Sequence, residues 1–484
     1  MKKILLLITL ILSTSAFSQQ ERLSGMGYLD ISIPDKYHTF NPYDLGNNPA
    51  WLVNDETNSF LKIIPSFSGY DGTYRRYYDA AGENLYKLKF AGLKTLKSGG
   101  TFYGETSYEY DFRRSVNRSL RYNTYGGQAF FIADTTAGNF RYMGPLIKFA
   151  YSYEPINKLY AGASIKYRIL DGLKYIYSRA EVLYREIETN VGVAYNFDEN
   201  YSLGLNYTYL NDQENIESKS EDLLDVELYE FRGEKYAILK RGSTINQKIK
   251  GSGHEVSLQF YQSSELMETG LAATYRKSNQ KVLIPFTLQT QSFNEYEEGY
   301  SSFSSASLEL KSRYHLTNKV SLALTAGYFR DYVWSKNTAK IKTLWEWEIN
   351  NFVGGAGLSW KINNNFIAGI EYNYSNINAD SSKYIDSRFF KENFGNHFIK
   401  AGAEYQILEN IFARAGYNMG TIKKDILYGA ENISINKITA GLGLYTFSSF
   451  TIDIQLEYGF YSGLPNTLKR AVFSGYSTIK LFTF

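Results

Sequence analysis

Four histidines, His38, His254, His315 and His397, are the only imidazoles in 484 residues, and no cysteine accompanies them. A metal centre needs three or four nitrogen, thiolate or carboxylate ligands brought together, and no two of these histidines have the spacing of such a site. A hydrolase built into a β wall would place a histidine and a nucleophile on neighbouring strands. His254 and His397 fall near the ends of alternating segments, where that chemistry would sit, yet serine is too abundant to single out a partner. The residues therefore read as no enzyme, no metal site and no cofactor. The lack of cysteine also excludes disulfides and a lipid-modified N-terminal cysteine.

Charge placed on one face of alternating segments is the more informative chemistry. Lys166, Arg168, Glu188, Glu309, Lys311, Arg313, Glu371, Lys400, Glu404, Arg414, Asp453 and Glu457 all occupy the polar side of period-two stretches. Facing lipid near the bilayer midplane, each would cost about 2–4 kcal/mol, so the inside of a barrel is their economical location. Both signs occur in similar numbers. They are candidates either for cross-strand pairing that knits the wall or for the lining of a solute path, and no single-sign ring argues for ion selectivity.

The elements that would position these charges are strands. Tyr201, Leu203, Leu205, Tyr207 and Tyr209 alternate with Ser202, Gly204, Asn206 and Thr208. The split recurs at Leu159 to Arg168 and at Thr451 to Phe460, one face apolar and the other charged or glycine-rich. In the last segment Tyr476, Thr478, Lys480, Phe482 and Phe484 share one face while Ile479 and Leu481 supply an apolar one, so the side that meets lipid is ambiguous there. The 44 tyrosines and 31 phenylalanines suit strands and interfacial girdles. A mean hydropathy of −0.34 fits a wall in which only every second residue faces lipid. A net charge of +3, from 52 basic and 49 acidic residues, gives no reason to expect nucleic acid.

Turns alternate between short and long. Short ones include Glu154 to Lys158, Phe197 to Asn200, His315 to Lys319, Ile362 to Asn365, Leu408 to Asn410 and Thr446 to Ser449. Long ones span Arg113 to Met143, Asn211 to Gly253, Lys277 to Ser301, Asp331 to Leu344, Asn376 to Asn396 and Lys423 to Ser434. The rhythm is that of periplasmic turns and extracellular loops, and it gives an all-β, transmembrane antiparallel β-barrel of about 14–18 strands. Within 211–253, acidic residues come first and basic ones second, and Val226 to Leu239 reads as a strand pair above the membrane. Residues 1–18 read as a signal peptide, with Lys2 and Lys3 before an apolar run too short to span a bilayer. Residues 19–58 are turn-rich and read as a hatch or plug, and 59–484 as the barrel. The location is the outer membrane of a Gram-negative bacterium, with surrounding lipid as one partner and the barrel-assembly machinery, through the strand ending at Phe484, as another.

Gly25 and Gly27, followed by Asn48-Pro49-Ala50 just before the first strand, resemble the N-terminal hatch of FadL-like barrels. Those include long-chain fatty acid transporters and PorV-like components of the type IX secretion system of Bacteroidota. The resemblance implies that Gly25, Gly27, Asn48, Pro49 and Ala50 belong to a hatch. It leaves two functions open. One is a channel or transporter for small solutes, hydrophobic ones among them, lined by Lys166, Arg168, Glu309, Arg313, Glu371, Lys400, Glu404, Arg414, Asp453 and Glu457. The other is a non-conducting assembly protein that binds protein partners through its loops or hatch.

Overall fold

The computed structural model describes residues 46–52, 59–96, 99–123, 129–220, 225–233, 236–287, 293–337, 343–385, 387–425, 430–446, 450–464 and 467–482. The 1–18 signal segment, Gly25, Gly27, His38 and Phe484 lie outside them.

Strands are numbered in chain order. The wall is made of β1 (Phe60–Gly72), β2 (Gly82–Thr95), β3 (Thr101–Val116), β5 (Gly138–Ile156), β6 (Leu159–Lys174), β7 (Glu181–Asn196), β8 (Tyr201–Lys219), β11 (Thr244–Ser263) and β12 (Met267–Thr287), followed by nine more. These are β13 (Phe293–Thr317), β14 (Val320–Asn337), β15 (Thr343–Asn363), β16 (Phe366–Lys383), β17 (Arg388–Leu408), β18 (Ile411–Asp425), β19 (Ala430–Thr446), β20 (Phe450–Leu464) and β21 (Leu468–Phe482). Each pairs antiparallel with its neighbours in an 18-stranded sheet, and β21 pairs back onto β1. That closing ladder runs from Phe60 opposite Phe482 to Gly72 opposite Arg470 and skips Ile64 and Pro65, where proline has no N–H to offer. Closure leaves no strand edge, which a wall in lipid requires because hydrocarbon cannot hydrogen-bond a free backbone.

Side chains assign the two faces. Leu203, Leu205, Tyr207, Val256, Leu258, Leu308, Leu310, Ile370, Tyr372, Leu456 and Tyr458 are exposed on the outside, while Ser202, Asn206, Ser257, Gln259, Glu371 and Gln455 are buried inside. The register settles the last strand. Ile479 stands opposite Ile452 and Leu481 opposite Phe450, so this pair faces outward, and Tyr476, Thr478 and Lys480 face the lumen opposite Gln455, Asp453 and Thr451. The face carrying Tyr476 is therefore not the lipid face.

The strands run much further than hydropathy indicates on the long-loop side. β13 has 25 residues, about 80 Å of chain, whereas the apolar band of such a wall is only about 25 Å tall. Most of the loop lengths read at 277–301, 331–344, 376–396 and 423–434 are wall strand. Above the apolar band the outer face meets water, so its apolar side chains disappear. The inner face inverts as well: Ile249, Val282, Val333, Trp347, Ile349, Ile377, Ala379 and Phe394 are buried on it and form one cluster.

A separate three-stranded sheet fills this apolar upper chamber. It joins β4 (Phe130–Asp134) to β9 (Val226–Arg232) and β10 (Ala237–Gly242) in the order β10-β9-β4. The acid-then-base stretch does form a hairpin, with Arg241 paired to Glu227 at 2.6 Å and Lys240 to Glu230. It lies inside the mouth rather than projecting beyond it, because both its faces carry apolar side chains and the buried Asp134 and Glu230 are ion-paired. Ile132, Val226 and Leu228 pack with Phe140, Val182, Ile216 and Ile245 of the wall. Phe131 and Phe231 stack on the other face with centroids 4.9 Å apart, and Tyr78 of the β1–β2 loop meets Phe131 edge-on. Phe130 reaches across to the β11–β17 cluster and lies over Gly299, where a Cβ would come 2.1 Å from its ring. Phe130→Ala is expected to destabilise this chamber by about 3–5 kcal/mol. The check is denaturant unfolding followed by the fluorescence of Trp345 and Trp347, which share its cluster; an unchanged midpoint would contradict the packing.

Candidate functional site

The lower half of the lumen is polar and is built from the inward positions of strands whose outward positions are apolar. Of the residues singled out from the sequence, Arg414 bridges two others, with Nε 2.7 Å from Glu404 and Nη1 2.6 Å from Asp453. Glu457 takes an ion pair from Lys437 at 3.1 Å. Glu371 stands directly opposite Lys400 in the β16–β17 register. Arg313 reaches Glu268 at 3.4 Å, and Glu309 is half-exposed on β13. On the far wall Lys166 pairs with Glu186 at 2.7 Å and Glu188 at 3.2 Å, and Arg168 pairs with Glu109. The ten positions thus form separate ionic groups around the wall rather than one convergent constellation.

The chain also folds pieces of itself into this space. Residues 46–52 lie against the inner faces of β5, β6, β7, β8 and β11, about three to six residues in from the short-turn ends. Pro49–Trp51 form one 3₁₀ turn, capped by Asn48, whose Oδ1 accepts from the Ala50 N–H at 3.0 Å. Proline suits this first position because its missing N–H would find no partner there. The Asn48 amide donates to the Val193 carbonyl at 3.1 Å and to Gln259 at 3.0 Å. Gln259 in turn donates to Asn206, whose own amide reaches Asn190 at 3.4 Å, and Asn190 donates to the Asn47 carbonyl at 2.8 Å. The Ser152 hydroxyl donates to the Ala50 carbonyl at 2.9 Å. Asn48, Pro49, Ala50 and Trp51 are all buried.

Wall glycines make the approach possible. A Cβ on residue 162 would fall 2.5 Å from the Pro49 carbonyl carbon and 2.6 Å from the Ala50 nitrogen, and one on residue 192 would fall 2.0 Å from Asn48 Oδ1. Glycine on the lumen face is the sequence signal that a segment lies there.

A second insertion comes from residues 117–123, between β3 and β4, and carries no pattern by which sequence could find it. Leu120 and Arg121 are buried, Arg121 pairs with Glu214 at 3.2 Å, and the Tyr122 N–H donates to the same carboxylate at 2.5 Å. The Tyr122 hydroxyl accepts from Arg168 at 2.7 Å and its carbonyl from Arg113 at 2.9 Å. In the upper chamber Asp134 of β4 is fully buried and ion-paired with Lys174 at the end of β6, where burial pulls the ammonium down and Asp134 opposes that pull. Arg232 of β9 meets Glu298 at 3.0 Å, and burial pushes that carboxyl up against the pull of Arg232 and Lys240. These ion pairs fasten the inner sheet to the wall at opposite ends of the β4–β9 pair.

The described histidines lie on both sides of the wall. His254 and His397 face outward and bond to tyrosine hydroxyls, and His315 lies 3.0 Å from Ser321 Oγ. Among the described residues no cluster of three or more histidines or carboxylates is placed to hold a metal.

A family model matches residues 49–333, from the Pro49–Trp51 turn through fourteen strands. The chain belongs to DUF6850, a family of unknown function. No curated protein shows sequence similarity to this DUF6850 member. Solved structures of similar shape include the CymD monoaromatic hydrocarbon channel, 10% identical over 95% of this chain and 98% of that one with a TM-score of 0.35. Another is the toluene transporter TbuX of Ralstonia pickettii, 10% identical over 96% and 100% of the two chains with a TM-score of 0.34. The copper transporter OprC is 8% identical over 89% and 82%, with a TM-score of 0.45. Likeness at this level leaves the function of the DUF6850 barrel to its own lumen.

Gly162→Ala is expected to displace residues 46–52, since its methyl would meet backbone rather than a yielding side chain. Trp51, fully buried in the native chain, should then become open to acrylamide quenching, measured as the difference between parallel samples with and without Trp51→Phe. Equal quenching before and after the substitution would place the segment elsewhere.

Proposed function

We propose that this barrel lies in the outer membrane of a Gram-negative bacterium and carries small polar solutes through its lumen, with residues 46–52 as a hatch at the short-turn, periplasmic end. One observation carries the reading. The obstructions are not part of the wall: the hatch and the β4-β9-β10 sheet are held to it by side-chain contacts, so either can move without opening the β1–β21 seam. Closed walls of 16–18 strands are wide enough to leave an aqueous channel. The ionic lining of the lower lumen, from Lys166 and Arg168 round to Arg414 and Asp453, favours polar cargo over the hydrophobic solutes that the hatch resemblance alone would imply.

A second reading, a non-conducting protein that binds protein partners through its loops, draws on the thorough packing of the upper chamber by the inner sheet.

Planar-bilayer recordings separate the two. The native chain should conduct little. Removing residues 46–52 and replacing 220–243 with a short glycine-serine linker should together produce discrete conductance steps, larger than either change alone. A silent wall after both changes, with the barrel still folded by heat-shifted gel migration, would rule out transport through the lumen and leave the partner-binding reading.

A further inference from the structure

Two histidines repeat one arrangement on the outside of the wall. Tyr207 and Tyr209 are exposed on β8, and His254 of β11 stands opposite Tyr209 with Nδ1 2.5 Å from the Tyr207 hydroxyl. Tyr372 and Tyr374 are exposed on β16, and His397 of β17 stands opposite Tyr374 with Nδ1 2.7 Å from the Tyr372 hydroxyl. Each imidazole also packs on the second tyrosine, with centroids 5.3 Å apart at Tyr209 and 4.9 Å at Tyr374. The next strand adds an exposed lysine in both cases. Lys277 of β12 is directly opposite His254, and Lys423 of β18 is two residues beyond Thr421, the partner of His397.

Both clusters sit where the apolar band ends on the long-loop side. Val256 and Leu258 lie below His254, and Ile399 lies below His397, all exposed. Among the described residues, the outward neighbours within two positions of His254 on β7, β8, β11 and β12, and of His397 on β15 to β18, include no carboxylate. Higher up the same outer surface Lys248 and Lys250 share Glu295, and Lys281 pairs with Glu297. Lys277 and Lys423, with no carboxylate beside them among the described residues, stand instead at the level of the headgroup layer. Aromatic rings belong at that depth, with the ring body toward acyl chains and the polar tip toward water.

We propose that the two Tyr-x-Tyr, His, Lys clusters bind the phosphate of an anionic lipid in the leaflet on the long-loop side. With the tyrosine hydroxyl donating to Nδ1, each histidine carries its proton on Nε2 and turns that donor outward beside the lysine ammonium. A phosphodiester then receives one neutral and one charge-assisted hydrogen bond, while its acyl chains lie along the apolar strand below. The inference rests on the apolar band lying in a bilayer and is independent of transport.

The test uses the full chain in nanodiscs of phosphatidylcholine with phosphatidylglycerol, followed by detergent release and native mass spectrometry of the lipids retained. The native protein should retain phosphatidylglycerol in preference to phosphatidylcholine. Lys277→Glu and Lys423→Glu should each lose one bound lipid and the double variant both, whereas Lys281→Glu should change nothing. The lysines are exposed, so folding is not at stake, and heat-shifted gel migration checks it. Unchanged retention in the double variant, equal retention of phosphatidylcholine, or displacement of the lipid by inorganic phosphate would each overturn the assignment. Failure of the native chain to enter nanodiscs would instead sink the membrane placement itself.

Discussion

Each wall strand crosses two environments, and the change of environment along it organises the molecule. Over its lower part the outer face meets hydrocarbon, so the apolar side chains must point out and the charges in. Over its upper part the outer face meets water, and the hydrophobic effect then favours the reverse. β11 shows the switch within one strand: Val256 and Leu258 are exposed outside near its lower end, while Ile249 is buried inside nearer the top. An upper chamber lined with isoleucine, valine and tryptophan cannot stand filled with water. The β4-β9-β10 sheet, which carries apolar side chains on both faces, supplies its core.

The ionic groups follow from the same constraint. Charges confined to the lower lumen lose part of their hydration, and they recover it from one another in local pairs such as Glu404–Arg414–Asp453 and Lys166–Glu186. Paired in this way they brace neighbouring strands while leaving a polar surface. The inserted segments use the same currency. Residues 46–52 satisfy the Asn47 and Ala50 carbonyls through the Asn190 amide and the Ser152 hydroxyl and the Asn48 amide through Gln259, and Arg121 and Tyr122 are satisfied through Glu214. Neither insertion joins the wall's β ladder, so each can be released without opening the wall, at the cost of its hydrogen bonds, each worth about 1 kcal/mol net, and of the apolar burial of Trp51 or Leu120.

Period-two alternation made the lower wall legible in the sequence. Lys166, Arg168, Glu371, Arg414 and Asp453 were placed inward because the residues flanking each are apolar. Their partners were not legible, since register between strands is set by turns and packing rather than by either strand alone. The upper strands read as long loops in the sequence for a physical reason. Hydropathy contrast marks a strand only where one face meets lipid, and it fades where the strand leaves lipid although pairing continues. The inner sheet brings Phe131 beside Phe231, 100 positions apart in the chain, and nothing local to either marks that meeting. The final strand was ambiguous because Tyr476 and Ile479 are both acceptable to lipid; only pairing to β20 and β1 decides.

The inverted upper lining has a core only if the inner sheet occupies the upper chamber. The chain has no cysteine, so pairs can be introduced cleanly, and Phe130→Cys with Gly299→Cys joins the sheet to the wall where a Cβ at 299 would touch the Phe130 ring. Oxidation of the folded protein in native membranes should crosslink this pair nearly completely, detected as a protease-resistant link between fragments, and should leave Phe130→Cys with the outward Tyr300→Cys unlinked. No crosslink between 130 and 299, or equal linking of both pairs, would contradict it.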